Sequence, residues 1–122
     1  MKVGKLFLSL FIASALSLTV AQGDAQQARP DGAEQYQLFC AACHMSDGRG
    51  AEGAGIYPAL ANNPAVAASS DFVILRILHG WGAMPSFRSL SDEQIAAIVN
   101  YVRSSFNDVE EEIGAEKVEA FR

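Results

Sequence analysis

The residues with the most evident chemistry in this sequence are Cys40, Cys43 and His44, in the order Cys-x-x-Cys-His. On a helix, side chains three positions apart lie on one face, with about 5–6 Å between their Cβ atoms. Both sulfurs can then form thioether bonds to the two vinyl groups of one haem, and the adjacent imidazole is a good iron ligand. Because this spacing is the attachment signal for haem c, the motif predicts one covalently bound haem per chain.

Three other uses of the two cysteines compete with haem. A thioredoxin-like redox pair requires a βαβ context, and no alternating strand pattern precedes the motif. A structural zinc site requires four ligands, for which the whole chain offers only Cys40, Cys43, His44 and His79. A plain disulfide is the usual fate of two cysteines in an exported protein, but it leaves His44 without a role. Haem attachment is therefore the favoured prediction.

A second axial iron ligand is expected among Met84, Met45 and His79. Met45 is adjacent to His44 and cannot reach the opposite face of the haem, whereas His79 ends a predicted helix, where a cationic imidazole is favoured without any ligand role. Met84 lies in a loop flanked by glycine and proline, 40 residues beyond His44, and is the favoured ligand. The alternative for Met84 is a core methionine that fills a gap. Two protein ligands leave no open iron position, so His44 with Met84 predicts electron transfer rather than catalysis.

The first 21 residues have the pattern of a secretory signal peptide, with two lysines, an apolar run and the small residue Ala21 before the expected cut. Cleavage after Ala25 is the second choice. An uncleaved anchor is the remaining alternative, although the apolar run is short for a bilayer core, which needs ~20 residues. Cleavage after Ala21 predicts an exported, periplasmic protein without a membrane span. Residues 22–30 are small and polar, which predicts a disordered lead-in.

The charge of the chain restricts its partners. The full sequence has 9 basic and 14 acidic side chains, and removal of the predicted signal peptide takes away two of the lysines. Such an acidic protein is a poor nucleic-acid binder, because phosphate repels it. Its field instead favours a redox partner with a basic docking face.

The elements that must position the motif are predicted to be helices. Apolar residues recur at helical spacing in three segments that follow polar N-caps. Glycines together with Pro58 and Pro64 predict a long loop between the first two helices. Residues 107–122 form an acidic tail with a short helix, interpreted as a solvated end, with a docking element for a partner subunit as the alternative. The predicted fold is all-α, with helices over residues 32–43, 71–79 and 92–105, capped by Asp31, Ser70 and Ser91.

Five motifs occur in order along the chain: Cys40-Ala41-Ala42-Cys43-His44, Asp47-Gly48-Arg49-Gly50, Tyr57-Pro58-Ala59-Leu60, Gly82-Ala83-Met84-Pro85, and Leu90-Ser91-Asp92 leading to Asn100-Tyr101-Val102-Arg103. With these motifs the chain resembles the small, soluble single-haem cytochrome c family over residues 32–106, within a predicted domain of residues 31–106. Within that family it is similar to bacterial haem c modules that serve periplasmic alcohol, aldehyde or sugar dehydrogenases.

This resemblance implies a cytochrome c fold, in which three to four main helices and long loops surround one covalent haem. It implies His44 and Met84 as axial ligands, a Pro58 carbonyl that accepts the His44 N–H, and Leu60 packed on the haem. Met45 departs from the family, which frequently has glycine after the histidine. The resemblance also implies that the first and last helices cross at Tyr36 and Tyr101. The candidates for contacts with the haem propionates are Arg49, Arg76, Arg88 and Trp81.

The function that the resemblance implies is one-electron transport in a respiratory chain outside the cytoplasm. The protein is expected to be no enzyme itself but to pass electrons from a dehydrogenase or membrane complex to an oxidase or similar acceptor. It does so either as a free monomer or as the haem c subunit of a dehydrogenase. Two alternatives stay open, a haem sensor or enzyme with a labile Met84 and a cofactor-free module with a Cys40–Cys43 disulfide.

Overall fold

The computed structural model describes residues 29–53 and 55–122, so the predicted signal peptide and residues 22–28 of the lead-in lie outside the described residues. The described chain is mostly helical, in agreement with the all-α prediction. None of its helices is long and apolar enough to cross a bilayer. Its elements are α1 (Gly32–Phe39), α2 (Ala41–His44), β1 (Ala51–Glu52), β2 (Ile56–Tyr57), α3 (Pro64–Ala68), α4 (Ser70–His79), α5 (Asp92–Asn107) and α6 (Ala115–Glu119).

The first predicted helix is two helices in the structure. Asp31 caps α1 as predicted, by accepting hydrogen bonds from two backbone N–H groups of the first turn. The helix is interrupted at Cys40, whose φ widens to −119° at a ψ of −38°, and a short α2 follows. Gly32 lets α1 approach α5 closely, since a Cβ there would lie 2.8 Å from the Cβ of Tyr101. The rings of Tyr36 and Tyr101 lie 5.5 Å apart at this crossing, which confirms the predicted contact.

The long loop contains structure that the sequence pattern did not predict. Strands β1 and β2 form an antiparallel pair in which Ala51 is opposite Tyr57. Strands of two residues are too short to show alternation, so they leave no periodic signal. Pro64 does not extend the loop but begins α3, where Asn63 is the N-cap and accepts from the N–H groups of Ala65 and Val66. Proline is favoured at the first helical position because its missing N–H has no helical partner there.

The two longer helices follow the prediction closely. The N-cap of α4 is Ser69 rather than Ser70, so the helix begins one residue earlier than predicted. The predicted capping box between Ser91 and Gln94 is present at the start of α5. This helix continues to Asn107, and Asp108 ends it in the left-handed conformation.

Residues 108–122 are packed against α5, which corrects the interpretation of this segment as a solvated end. Val118 is fully buried and Ile113 is 6% exposed. The side chain of Asn100 accepts a hydrogen bond from the Ile113 N–H and donates one to its carbonyl oxygen, both at 2.9 Å. The acidic side chains face solvent while the apolar ones join the core, and a run of charge conceals this pattern. The buried core consists of Tyr36, Val66, Val73, Ile74, Ile77, Leu78, Leu90, Ile95, Ala96, Ile98, Val99, Val102, Ile113 and Val118.

Candidate haem site

The Cys-x-x-Cys-His motif opens onto one cavity of about 560 Å³, within the range of ~300–1,000 Å³ that is typical of ligand pockets. Its walls come from α1 and α2, the loop around β2, α4, the loop after α4, and α5, and they are mainly apolar. All the site residues proposed from the sequence line it, namely Cys40, Cys43, His44, Pro58, Leu60 and Met84.

His44 is the last residue of α2 and is only 8% exposed. Its Nδ1 atom lies 2.9 Å from the carbonyl oxygen of Pro58. A carbonyl oxygen can only accept, so Nδ1 carries the hydrogen and Nε2 keeps a free lone pair. A histidine that donates its second N–H to a carbonyl has a fixed tautomer and is a stronger metal ligand. The imidazole is therefore prepared to bind a metal through Nε2.

Cys40 is half-buried, Cys43 is exposed, and both have free thiols. Burial, with a smaller contribution from the Cys43 thiolate, raises the pKa of Cys40 to about 11. Cysteines of thioredoxin-like redox pairs have lowered pKa values instead, so the environment of Cys40 is unlike such a pair. The two sulfurs are available for bonds to a group in the cavity.

Met84 is held by a tight turn after α4. Trp81 N–H donates to the Met84 carbonyl at 3.1 Å and Met84 N–H donates to the Trp81 carbonyl at 3.0 Å. Gly80 has a φ of 71° and packs against this turn, where a Cβ would lie 2.8 Å from the carbonyl carbon of Pro85. Of the three candidate second ligands, only Met84 lines the cavity. His79 is exposed at the end of α4.

The four candidates for propionate contacts separate into two groups. Arg76 and Trp81 line the cavity, and the Arg76 guanidinium lies 4.1 Å from the centre of the Trp81 ring. Arg49 is outside the cavity, with an 80% exposed side chain 3.6 Å from Asp47. Arg88 is also outside and donates to the carbonyl oxygen of Arg122. Within the described residues, Arg76 is the only Lys or Arg in the lining, and no carboxylate accompanies it.

Several lining residues were not found from the sequence. Helical periodicity shows which side chains are buried but not which buried side they face. On α4, for example, it cannot separate Ile77, which lines the cavity, from Ile74, which is fully buried away from it. Asn63, at the N-cap of α3, carried a recognisable capping signal next to Pro64. The apolar lining residues that went unassigned are Phe39, Ile56, Val66, Phe72 and Phe87.

These residues fit a haem c. Two free thiols, an oriented imidazole and a thioether sulfur share one apolar cavity whose one cationic side chain can face carboxylates. Nowhere in the described residues do three or more His, Cys, Asp or Glu side chains gather as a metal cluster, so the zinc alternative has no ligand set. The donor chemistry is that of covalent attachment plus imidazole and thioether ligation.

Comparison with known proteins agrees with this chemistry. The family model described as "Cytochrome C oxidase, cbb3-type, subunit III" matches residues 27–102. The fructose dehydrogenase cytochrome subunit of Gluconobacter japonicus is 36% identical over 75% of this chain and 22% of its own length. A cytochrome c-552 of Thermus thermophilus is 33% identical over 78% of this chain and 69% of its own length. A solved c-type cytochrome, KustC0563, has a TM-score of 0.53 and 29% identity, covering 62% of this chain and 96% of its own.

The extent of these matches differs between relatives. The chain spans about a fifth of the fructose dehydrogenase subunit that it matches, but most of cytochrome c-552. The family model covers more than half of the chain and includes the Cys-x-x-Cys-His motif. The chain therefore belongs to the cytochrome c family of electron-transfer proteins, in the group described as cytochrome c oxidase, cbb3-type, subunit III, and carries covalently bound haem c.

Proposed function

We propose that this protein is an exported, periplasmic one-electron carrier whose haem is attached at Cys40 and Cys43 and ligated by His44 and Met84. It takes electrons from a dehydrogenase or membrane complex and passes them to an oxidase or similar acceptor. The observation that carries the proposal is that these four side chains line one apolar cavity. When bound, the haem supplies an iron that changes reversibly between the ferric and ferrous states.

The residues around the cavity are suited to set a high reduction potential. The Met84 thioether is a soft, neutral donor, which favours ferrous iron. The apolar lining, including Leu60, disfavours the extra charge of the ferric state. The hydrogen bond between His44 and Pro58 acts in the opposite direction, because it strengthens the imidazole as a donor. Arg76, the one cation of the lining, is the residue proposed to face the haem carboxylates.

Residues 31–106 form the proposed haem domain, and cleavage after Ala21 is proposed to release it into the periplasm as a monomer. A dedicated subunit of a dehydrogenase complex is the second candidate. The observation that favours it is the similarity to the fructose dehydrogenase cytochrome subunit, of which this chain matches 22%. A soluble carrier meets its partners through small interfaces, below ~1,200 Å². Co-purification with a dehydrogenase would favour the second candidate, while a monomer reduced in solution favours the first.

The ligand assignment is tested by comparing Met84→Ala with Met45→Ala in protein matured with haem. In the wild type, mass spectrometry shows one covalently attached haem, and the oxidised spectrum contains the charge-transfer band of a methionine–ferric-haem bond. Met84→Ala loses this band, has a lower potential and binds added carbon monoxide. Met45→Ala, which changes the methionine next to His44, retains the band. A wild-type mass without haem would refute the proposal, and an unchanged spectrum of Met84→Ala would exclude Met84.

Localisation is tested by fractionation of the producing cells. The proposal expects the protein in the periplasmic fraction, with Gln22 as its first residue. A protein that retains residues 1–21 and sediments with membranes would contradict cleavage and indicate an anchor.

A further inference from the structure

Asn107, the last residue of α5, joins this helix to the loop that carries the Pro58 carbonyl. Its Nδ2 donates to the carbonyl oxygen of Leu60 at 2.9 Å, and its Oδ1 accepts from the N–H of Asn63 at 2.8 Å. The same Nδ2 donates to the Val102 carbonyl at 3.0 Å, which fixes the amide on its own helix. One side chain therefore holds both ends of the segment 60–63.

The Pro58 carbonyl depends on such external support. Pro58 is exposed and has no N–H of its own with which to anchor the backbone. On its upstream side lies only the two-residue ladder of β2. On its downstream side, the Asn63 side chain donates to the carbonyl oxygen of Ala59 at 2.8 Å, and the backbone N–H groups of residues 60 and 61 donate to the Gly48 carbonyl oxygen at 2.7 and 2.9 Å. The position of the carbonyl thus follows the position of residues 59–63.

The connection between residues 59–63 and the end of α5 rests mainly on Asn107. In the described structure three hydrogen bonds join the two segments, and Asn107 makes two of them. The third runs between the Asn62 N–H and the Phe106 carbonyl at 3.0 Å. Loss of the Asn107 amide leaves one backbone bond to keep the loop in register with the helix.

We propose that Asn107 is a positioning residue for His44. Together with the backbone hydrogen bonds to Gly48, it fixes residues 60 and 63, which keeps the Pro58 carbonyl 2.9 Å from the His44 Nδ1 and so maintains the donor strength of the imidazole. The inference rests on the proposed function, since it requires His44 to bind the haem iron. When the amide is removed, the hydrogen bond to His44 weakens, the imidazole donates less to the iron, and the reduction potential rises.

A matched control lies on the same helix. Asn100 is also half-buried on α5, and its side chain also bonds backbone atoms of a distant segment, here both the N–H and the carbonyl of Ile113. That segment lies away from the haem cavity. Asn100→Leu therefore removes side-chain hydrogen bonds of the same kind but leaves the loop that contains Pro58 unchanged. Any effect common to both variants is an effect of lower stability alone.

The experiment compares haem-loaded wild type, Asn107→Leu and Asn100→Leu by two measurements. The first is the reduction potential, and the second is the NMR-detected exchange rate of the His44 Nδ1 hydrogen with solvent. For Asn107→Leu we expect a raised potential and an exchange about tenfold faster, as expected from weakening one hydrogen bond. For Asn100→Leu we expect neither change. Asn107→Ala replaces the leucine variant if the larger side chain prevents folding.

The wild type alone provides a second measurement. If Asn107 governs the loop, the opening that releases the His44 Nδ1 hydrogen also releases the Asn63 N–H, so both exchange with the same free energy of opening. Different free energies for the two hydrogens would overturn the inference, as would an unchanged or lowered potential in the Asn107 variant. A wild type without an iron-bound His44 refutes the proposed function itself. An iron-bound His44 with unresponsive Asn107 variants refutes only the inference about Asn107.

Discussion

The hydroxyl of Tyr36 donates a hydrogen bond to the backbone carbonyl oxygen of Met45 at 2.7 Å, directly beside His44. Tyr36 is fully buried. Met45 has a φ of 64° and a ψ of 158°, a backbone region that is open almost exclusively to glycine. The first helix thus uses a buried phenol to hold a strained residue next to the histidine of the haem motif.

Removal of this hydroxyl should destabilise the protein. Tyr36→Phe leaves the Met45 carbonyl with only the Gly48 N–H as a donor, at 3.1 Å, and we expect a loss of about 0.5–1.5 kcal/mol in the free energy of unfolding. Denaturant unfolding of the haem-loaded protein measures this loss. Tyr101→Phe is the matched control, because its hydroxyl makes no hydrogen bond within the described residues, and it should change stability by less than ~0.5 kcal/mol. Equal effects of the two variants would contradict a specific role of the Tyr36–Met45 bond.

Stability should also fall at high pH because of Tyr36. Burial raises the pKa of the Tyr36 hydroxyl above its ordinary value of 10.0. Above that pH the unfolded chain releases the proton while the folded chain retains it, so the free energy of unfolding decreases by up to ~1.4 kcal/mol per pH unit. Unfolding measured from pH 8 to 11 (roughly the range that brackets the tyrosine pKa) should show this slope. Tyr36→Phe should have a flatter profile, and an identical profile would exclude Tyr36 as the cause.

Glycine at position 45 should be better tolerated than alanine. Both Met45→Gly and Met45→Ala remove the half-buried side chain, but only glycine adopts the observed backbone angles without strain. We expect Met45→Gly to exceed Met45→Ala in unfolding free energy by about 1–3 kcal/mol. A more stable alanine variant would show that the backbone at this position is not strained.

The C-terminal segment should contribute to stability but not to the haem environment. Val118 is fully buried against α5, away from the cavity. Val118→Ala should cost about 1.5 kcal/mol or more, from ~0.8 kcal/mol per buried methyl group and a cavity term, with an unchanged haem spectrum. Glu119→Ala, on the exposed side of α6, should stay within ~0.5 kcal/mol of the wild type. A negligible effect of Val118→Ala would indicate that the C-terminal segment is a solvated end, as first interpreted from the sequence.

The cation of the cavity should influence the reduction potential. Arg76 lines the cavity, whereas the Arg49 side chain is 80% exposed outside it. Because a nearby positive charge disfavours the additional charge of ferric haem, Arg76→Gln should lower the potential. Arg49→Gln removes the same charge from a solvated position, where screening weakens its effect, and should leave the potential nearly unchanged. Equal shifts for the two variants would indicate only a general effect of net charge.

Much of the fold could be predicted from local patterns. The capping box of Ser91 and Gln94 and the cap at Asp31 are chemical signals between neighbouring residues, and both are present. The start of α3 at Pro64 and the strands around Gly53 were missed, because very short elements have no periodicity. The packing of Val118 was also missed, because an acidic run obscured the few apolar residues that contact α5.

The candidate site, like the fold, could be predicted from the sequence only in part. The order Cys40, Cys43 and His44 by itself determined the chemistry of covalent haem attachment, because the geometry between residues three or four apart follows from the helix alone. Only the tertiary structure decided that Arg76, and not Arg49, lines the cavity, and that Asn107 reaches the loop beside Pro58. Both positions depend on how helices and loops that are far apart in the chain pack together, and not on the local spacing of residues.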